Sequence, residues 1–132
     1  EVEGTIAAAD VQTLNATQVT VIAAPGAGRY VEVETCHWWL DHGGVDYDDA
    51  AAGEDLSLKY TDDSGAKVTG DVDHSGFGDA SADAHAIVKG VAVVPVANAV
   101  VVAHILSGEW YSAAGDSDLK YRIRYWDKPL TW

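Results

Sequence analysis

Leu119-Lys-Tyr-Arg-Ile-Arg-Tyr125 is the stretch that decides the fold class. Leu119, Tyr121, Ile123 and Tyr125 occupy every second position, and Lys120, Arg122 and Arg124 fill the places between. A period of two is that of an extended strand with one buried and one wet face, since a helix would repeat its apolar residues every three or four positions. The same alternation sets Leu56, Leu58 and Tyr60 against Ser57, Lys59 and Thr61, and Val31 and Val33 against Glu32 and Glu34. These segments are expected to be half-buried antiparallel strands.

Two further stretches are apolar on both faces: Gln18 to Ala24 (QVTVIAA) and Asn98 to Leu106 (NAVVVAHIL). Both are short and rich in β-branched residues. They are expected to be central strands, covered on both sides or buried against a neighbouring subunit. Ala84 to Val91 and Gly4 to Ala8 add two more strands. Asp10-Val-Gln-Thr-Leu14 is the one helical candidate, a single turn with Asp10 as its N-cap. Turn residues recur at short intervals, at Pro25 to Gly28, Asp41 to Gly44, Asp62 to Gly65, Ser75 to Gly78 and Gly115 to Asp118. The pattern predicts a single all-β domain over residues 1–132. Its architecture is expected to be an antiparallel β-sandwich, jelly-roll-like, of about eight strands.

The 132 residues suffice to bury a real core without disulfides, and Cys36 is the only cysteine. No apolar run is long enough for a spanning helix, and no signal-peptide pattern opens the chain. The chain starts at Glu1 and contains no Met, so one or more residues are expected to precede Glu1 in the primary product. Acidic residues number 21 and basic ones 8, a net charge of −13. Such a balance disfavours nucleic acid and anionic membranes as partners, because little is present to neutralise phosphates. Abundant Asp, scarce Lys and a single Phe point beyond a merely low pI to adaptation to molar salt, where charge repulsion is screened within a few ångströms.

No catalytic residues, cofactor or metal ligands are expected. A nucleophile elbow is missing, and Pro25-Gly-Ala-Gly28 lacks the Lys-Ser/Thr ending of a phosphate loop. Cys36 lies on an expected strand and not at a helix N-terminus, where its thiolate would be favoured. His37, Asp41 and His42 are close in sequence. The odd spacing of the two histidines, however, turns them to opposite faces of an extended strand. Asp71-Val-Asp73-His-Ser75-Gly76-Phe77-Gly-Asp79 opens like a calcium loop, but its twelfth position is Ala82 where a bidentate Glu is required. An acidic surface loop is the plainer account. Asn15-Ala-Thr17 is a glycosylation sequon that matters only on an exported or displayed protein. His104, within an apolar strand, is expected to be a hydrogen-bonded core or interface residue.

The five tryptophans carry more information. Trp38 and Trp39 are adjacent, so one should face inward and one outward. Trp126 shares its face with Lys120, Arg122 and Arg124, and Trp132 is the last residue. Trp39 or Trp126 is expected at a contact surface, and the Arg122/Arg124 stripe suits an acidic neighbour.

The order of short phrases adds a resemblance. It runs through Ala8-Ala-Asp-Val-Gln-Thr-Leu14, Val19-Thr-Val-Ile-Ala-Ala-Pro-Gly-Ala-Gly28, Asp41 to Gly43, Glu54-Asp-Leu-Ser-Leu-Lys-Tyr60, Ala97-Asn-Ala-Val-Val-Val102 and Leu119 to Tyr125. Over nearly the whole chain this resembles small structural proteins of tailed phages and related viruses, of the head-decoration or head-fibre-like type. The resemblance implies a jelly-roll-like subunit, usually trimeric, on the outer capsid surface, with the major capsid protein and further copies of itself as partners. The acidity would fit a halophilic host. The contacts are then expected at Asn98 to Leu106 and at the Trp-bearing faces. The alternatives are a vertex turret, spike or tail adhesin binding host glycans, and a secreted carbohydrate-binding β-sandwich, with an enzyme last.

Overall fold

A computed structural model describes residues 1–47, 53–110 and 115–131. Seven strands and one helical turn follow in order: β1 (Val2–Ile6), α1 (Ala8–Val11), β2 (Val19–Ile22), β3 (Arg29–Asp41), β4 (Leu56–Tyr60), β5 (Ala84–Lys89), β6 (Val101–Ile105) and β7 (Asp118–Pro129). They form two antiparallel sheets, β1-β7-β3-β5 and β2-β6-β4. Successive strands alternate between the sheets, which is the winding of a jelly roll. The eighth position is taken by residues 66–72. They lie beside β4 through Val68 N–H to Leu58 O (2.8 Å) and the reciprocal Leu56–Val72 pair, without forming a continuous ladder.

The core lies between the sheets. One sheet supplies Ile6, Val31, Val33, Cys36, Trp38, Leu40, Leu119 and Ile123; the other supplies Val21, Leu56, Leu58, Tyr60, Val101, Ala103 and Ile105. Strand β7 keeps the phase read from its sequence, with Leu119 and Ile123 buried and Arg122, Arg124 and Trp126 exposed. Gly4 lies opposite Tyr121 on the inner side of β1, where any Cβ would collide with the tyrosine ring.

Strand β3 changes phase. Val31 and Val33 point inward, and further along Cys36, Trp38 and Leu40 do. The switch is a β-bulge: Val33 pairs with Tyr125 and Thr35 with Arg124, so Glu34 is the extra residue. Gly90 secures this point. Its N–H donates to Glu34 O at 2.9 Å, and its missing side chain lets it sit against the Val33 carbonyl.

Three expectations are corrected. Asp10 is not the N-cap of α1. Ala7 takes that position with extended backbone, and the Ala8 N–H is satisfied by the Asp118 carboxylate at 3.0 Å. Strand β2 is an edge strand with Thr20 exposed, because it pairs with β6 alone. The outer face of β4 is not wet. Ser57 and Lys59 are buried, with Lys59 Nζ donating to Asp63 O; across from them His104 Nε2 meets Asn15 O at 3.2 Å.

Candidate functional site

The outer face of the four-stranded sheet gathers most of the residues singled out in the sequence. Because of the bulge, β3 presents His37 and Trp39 on the same side as Lys120, Arg122, Arg124 and Trp126 of β7. Strand β5 adds His85, Ile87 and Lys89, and β1 adds Glu3 and Thr5. Trp38 faces the core fully buried, edge-on to Tyr121, so the paired tryptophans split as expected. Trp126 is 58% exposed and Ile87 is 70% exposed.

The charges on this face are laid across the strands in pairs. Lys120 meets Asp41 at 2.6 Å, Arg122 meets Glu3 at 2.6 Å, Lys128 meets Glu32 at 2.8 Å and Arg124 approaches Glu34 at 3.9 Å. Such open pairs stabilise little and weaken in salt. Their larger consequence is the distribution of charge. Five of the eight basic residues (Lys89, Lys120, Arg122, Arg124 and Lys128) lie here, against Glu3, Glu32, Glu34, Asp41 and, at the strand end, Asp118. These five cations and five carboxylates cancel one another, whereas the rest of the chain carries 16 acidic residues against 3 basic ones.

Around Trp39 the face forms a shallow depression of about 400 Å³, lined by Glu3, Thr5, His37, Trp39, Lys120 and Arg122 among others. Lys120 Nζ sits 4.4 Å from the Trp39 ring centre, and His85 stacks on that ring at 5.5 Å with 28° between planes. His37 Nε2 and His85 Nδ1 are 3.1 Å apart. Sequence reading missed His85 altogether, since nothing local reveals that β5 pairs with β3 in this register.

The other candidates are dispersed. His42 pairs with Asp46 at 2.8 Å, whereas Asp41 pairs with Lys120, so His37, Asp41 and His42 do not converge. In the loop from Asp71, the three carboxylates are engaged separately. Asp71 meets Lys67 at 2.7 Å, Asp73 accepts from Ser75 N–H at 2.9 Å and Asp79 from Gly76 N–H at 2.6 Å. His74 and Phe77 turn inward against Trp110, which donates to Glu54 O at 2.6 Å. The loop is therefore a lid on the core. Among the described residues no three His, Cys, Asp or Glu side chains form a group that could hold a metal ion. No helix among them is long and apolar enough to cross a membrane.

Cys36 is fully buried, and burial pushes its thiol far above the usual range. Asn15 uses its side-chain amide to hold Ile105 O at 2.8 Å, so a glycan there would break a fold contact. Strand β6, the expected contact strand within Asn98 to Leu106, is buried on both faces inside this chain. It leaves no surface for a neighbour. Exposed apolar residues lie just before it, with Val91, Val94 and Val96 on an uncharged run, Val94 being 83% exposed. Trp132 lies outside the described residues. Comparison with family models, curated proteins and solved structures found no match.

Proposed function

We propose that this domain is a non-enzymatic structural protein of a virus particle, a decoration subunit on the outer capsid surface. It docks on the major capsid protein through the outer face of its four-stranded sheet. The observation that carries the reading is the charge asymmetry. A chain of net −13 gathers five of its eight cations on one face, balanced there by carboxylates, with Trp126 and Ile87 exposed. That face can lie against a neighbour without repulsion, while the acidic remainder faces solvent and keeps particles dispersed. The resemblance read from the order of short phrases in the sequence supports the choice of partner. Self-association, as a trimer in this reading, falls to the uncharged Val91 to Val96 run. Burial of that run is not weakened by salt.

Quantitative mass spectrometry of purified particles tests the proposal. Copy numbers comparable to the shell protein are expected, and absence from particles overturns the reading. Rebinding of purified chain to stripped particles at molar salt should fail for Trp126→Asp.

A second reading, an adhesin for host glycans, rests on the Trp39 depression with its flanking Lys120 and Arg122. Saturable binding to host surface polysaccharide that Trp39→Ala abolishes would favour it. A few copies per particle, in place of hundreds, would do the same.

A further inference from the structure

We propose that His37 and His85 form a two-imidazole site for a divalent first-row transition ion such as Zn²⁺, Ni²⁺ or Cu²⁺. His37 Nε2 and His85 Nδ1 lie 3.1 Å apart across the β3–β5 ladder. Two nitrogens bound to one such ion at about 2.0–2.1 Å, at angles from square-planar to tetrahedral, stand about 2.9–3.4 Å apart. The 3.1 Å separation of the pair falls within that range. Both residues sit on strands, and the His85 ring is held by stacking on Trp39, so little ordering is left for the metal to impose.

The two nitrogens are within hydrogen-bond distance, one donating and the other accepting according to the tautomer. The rings are tilted 43° to one another, and the contact is open to solvent. Turning both lone pairs to a common ion requires ring rotation away from the direct contact, chiefly of His37, because His85 is stacked on Trp39. Coordination uses Nε2 of His37 and Nδ1 of His85, so in the bound tautomers the ring protons sit on Nδ1 of His37 and Nε2 of His85. The remaining coordination positions take water, as no third ligand residue joins the pair among the described residues. Arg122, opposite His37 in the ladder, does not leave an uncompensated charge beside the ion because Glu3 pairs with it at 2.6 Å. An ion with open positions on this face would also accept a carboxylate from a docked neighbour, although binding of the ion itself requires none.

Zn²⁺ titration of the purified chain at pH 7.5, followed by imidazole ¹⁵N resonances, tests the site. Saturable shifts are expected at His37 Nε2 and His85 Nδ1, with His74 and His104 unmoved. Affinity should fall tenfold or more in either His37→Gln or His85→Gln and stay unchanged in His42→Gln. Both substitutions lie on the sheet surface, and far-UV circular dichroism checks that each variant is folded. Unchanged affinity in both variants, shifts confined to His42, or no saturation by millimolar Zn²⁺ would each overturn the assignment. Because no partner enters the measurement, that failure would leave the docking reading standing.

Discussion

Replacing Gly90 by alanine tests whether the β3 bulge is held from outside the strand. The alanine Cβ would fall well inside contact distance of the Val33 carbonyl oxygen and also approach its carbon. These are backbone atoms, so no rotamer change relieves the overlap, and the segments must part by on the order of 1 Å. A movement of that size loosens the Gly90 N–H bond to Glu34 O (2.9 Å) and strains the neighbouring Gly70 N–H to Lys89 O and Val91 N–H to Val68 O bonds (both 3.1 Å). Two or three such bonds at about 1 kcal/mol each, with residual strain, predict a loss of about 2–4 kcal/mol. Gly70→Ala is the control. It follows Thr69, the bridge partner of Gly90, and its Cβ would meet open space, so its change should stay within about 0.5 kcal/mol or be slightly stabilising. Urea unfolding followed by tryptophan fluorescence measures both. If Gly90→Ala costs less than about 0.5 kcal/mol, or Gly70→Ala costs as much, the bulge does not depend on that close approach.

Two further outcomes follow from buried groups. Burial, and next the charge of Lys59, lowers the His104 pKa, so protonation favours the unfolded chain. The stability this residue contributes is full above the ordinary value of about 6.5 and drains as pH falls through it toward the folded value. His104→Gln should flatten the decline of Tm between pH 7.5 and 5, and an unchanged slope would refute the assignment. Trp110→Ala removes the side chain that Tyr47, His74 and Phe77 pack against, and should cost about 3–5 kcal/mol in urea unfolding. A loss under about 1 kcal/mol would mean that the loop from Asp71 to Asp79 is not a lid.

Local periodicity carries the strands that face solvent on one side. Leu119 to Tyr125 alternates in the sequence and in the fold, and the opposite orientations of Trp38 and Trp39 follow from their adjacency alone. The bulge in β3 also left a trace, in the apolar residues that shift from odd positions at Val31 and Val33 to even ones at Cys36, Trp38 and Leu40. What periodicity cannot carry is coverage from afar. Ser57 and Lys59 have the composition of a wet face, yet segments near Asn15 and Asp63 close over that side. Likewise α1 takes its cap from Asp118, which is 110 residues away. The His37–His85 contact is of the same kind, because it depends on the strand register that brings together two residues 48 positions apart.

The bulge joins the fold to the proposed interface. Without Glu34 as an extra residue, the phase set by Val31 and Val33 would run on through β3, turning His37 and Trp39 inward and leaving Cys36, Trp38 and Leu40 in water. Three large or apolar side chains fix the opposite choice, since Trp38 and Leu40 bury completely only with the bulge in place. Core burial therefore determines the outward pair, and with it the placement of His37 beside His85 and of Trp39 beneath Lys120. The cations of β7 then find carboxylates of β1 and β3 across the ladder and do not concentrate as a positive stripe. A neutral, partly aromatic face on an acidic body is thus a consequence of how the sandwich closes. Under the proposed docking role, such a face would hold its neighbour by apolar contact even where salt screens out charge attraction.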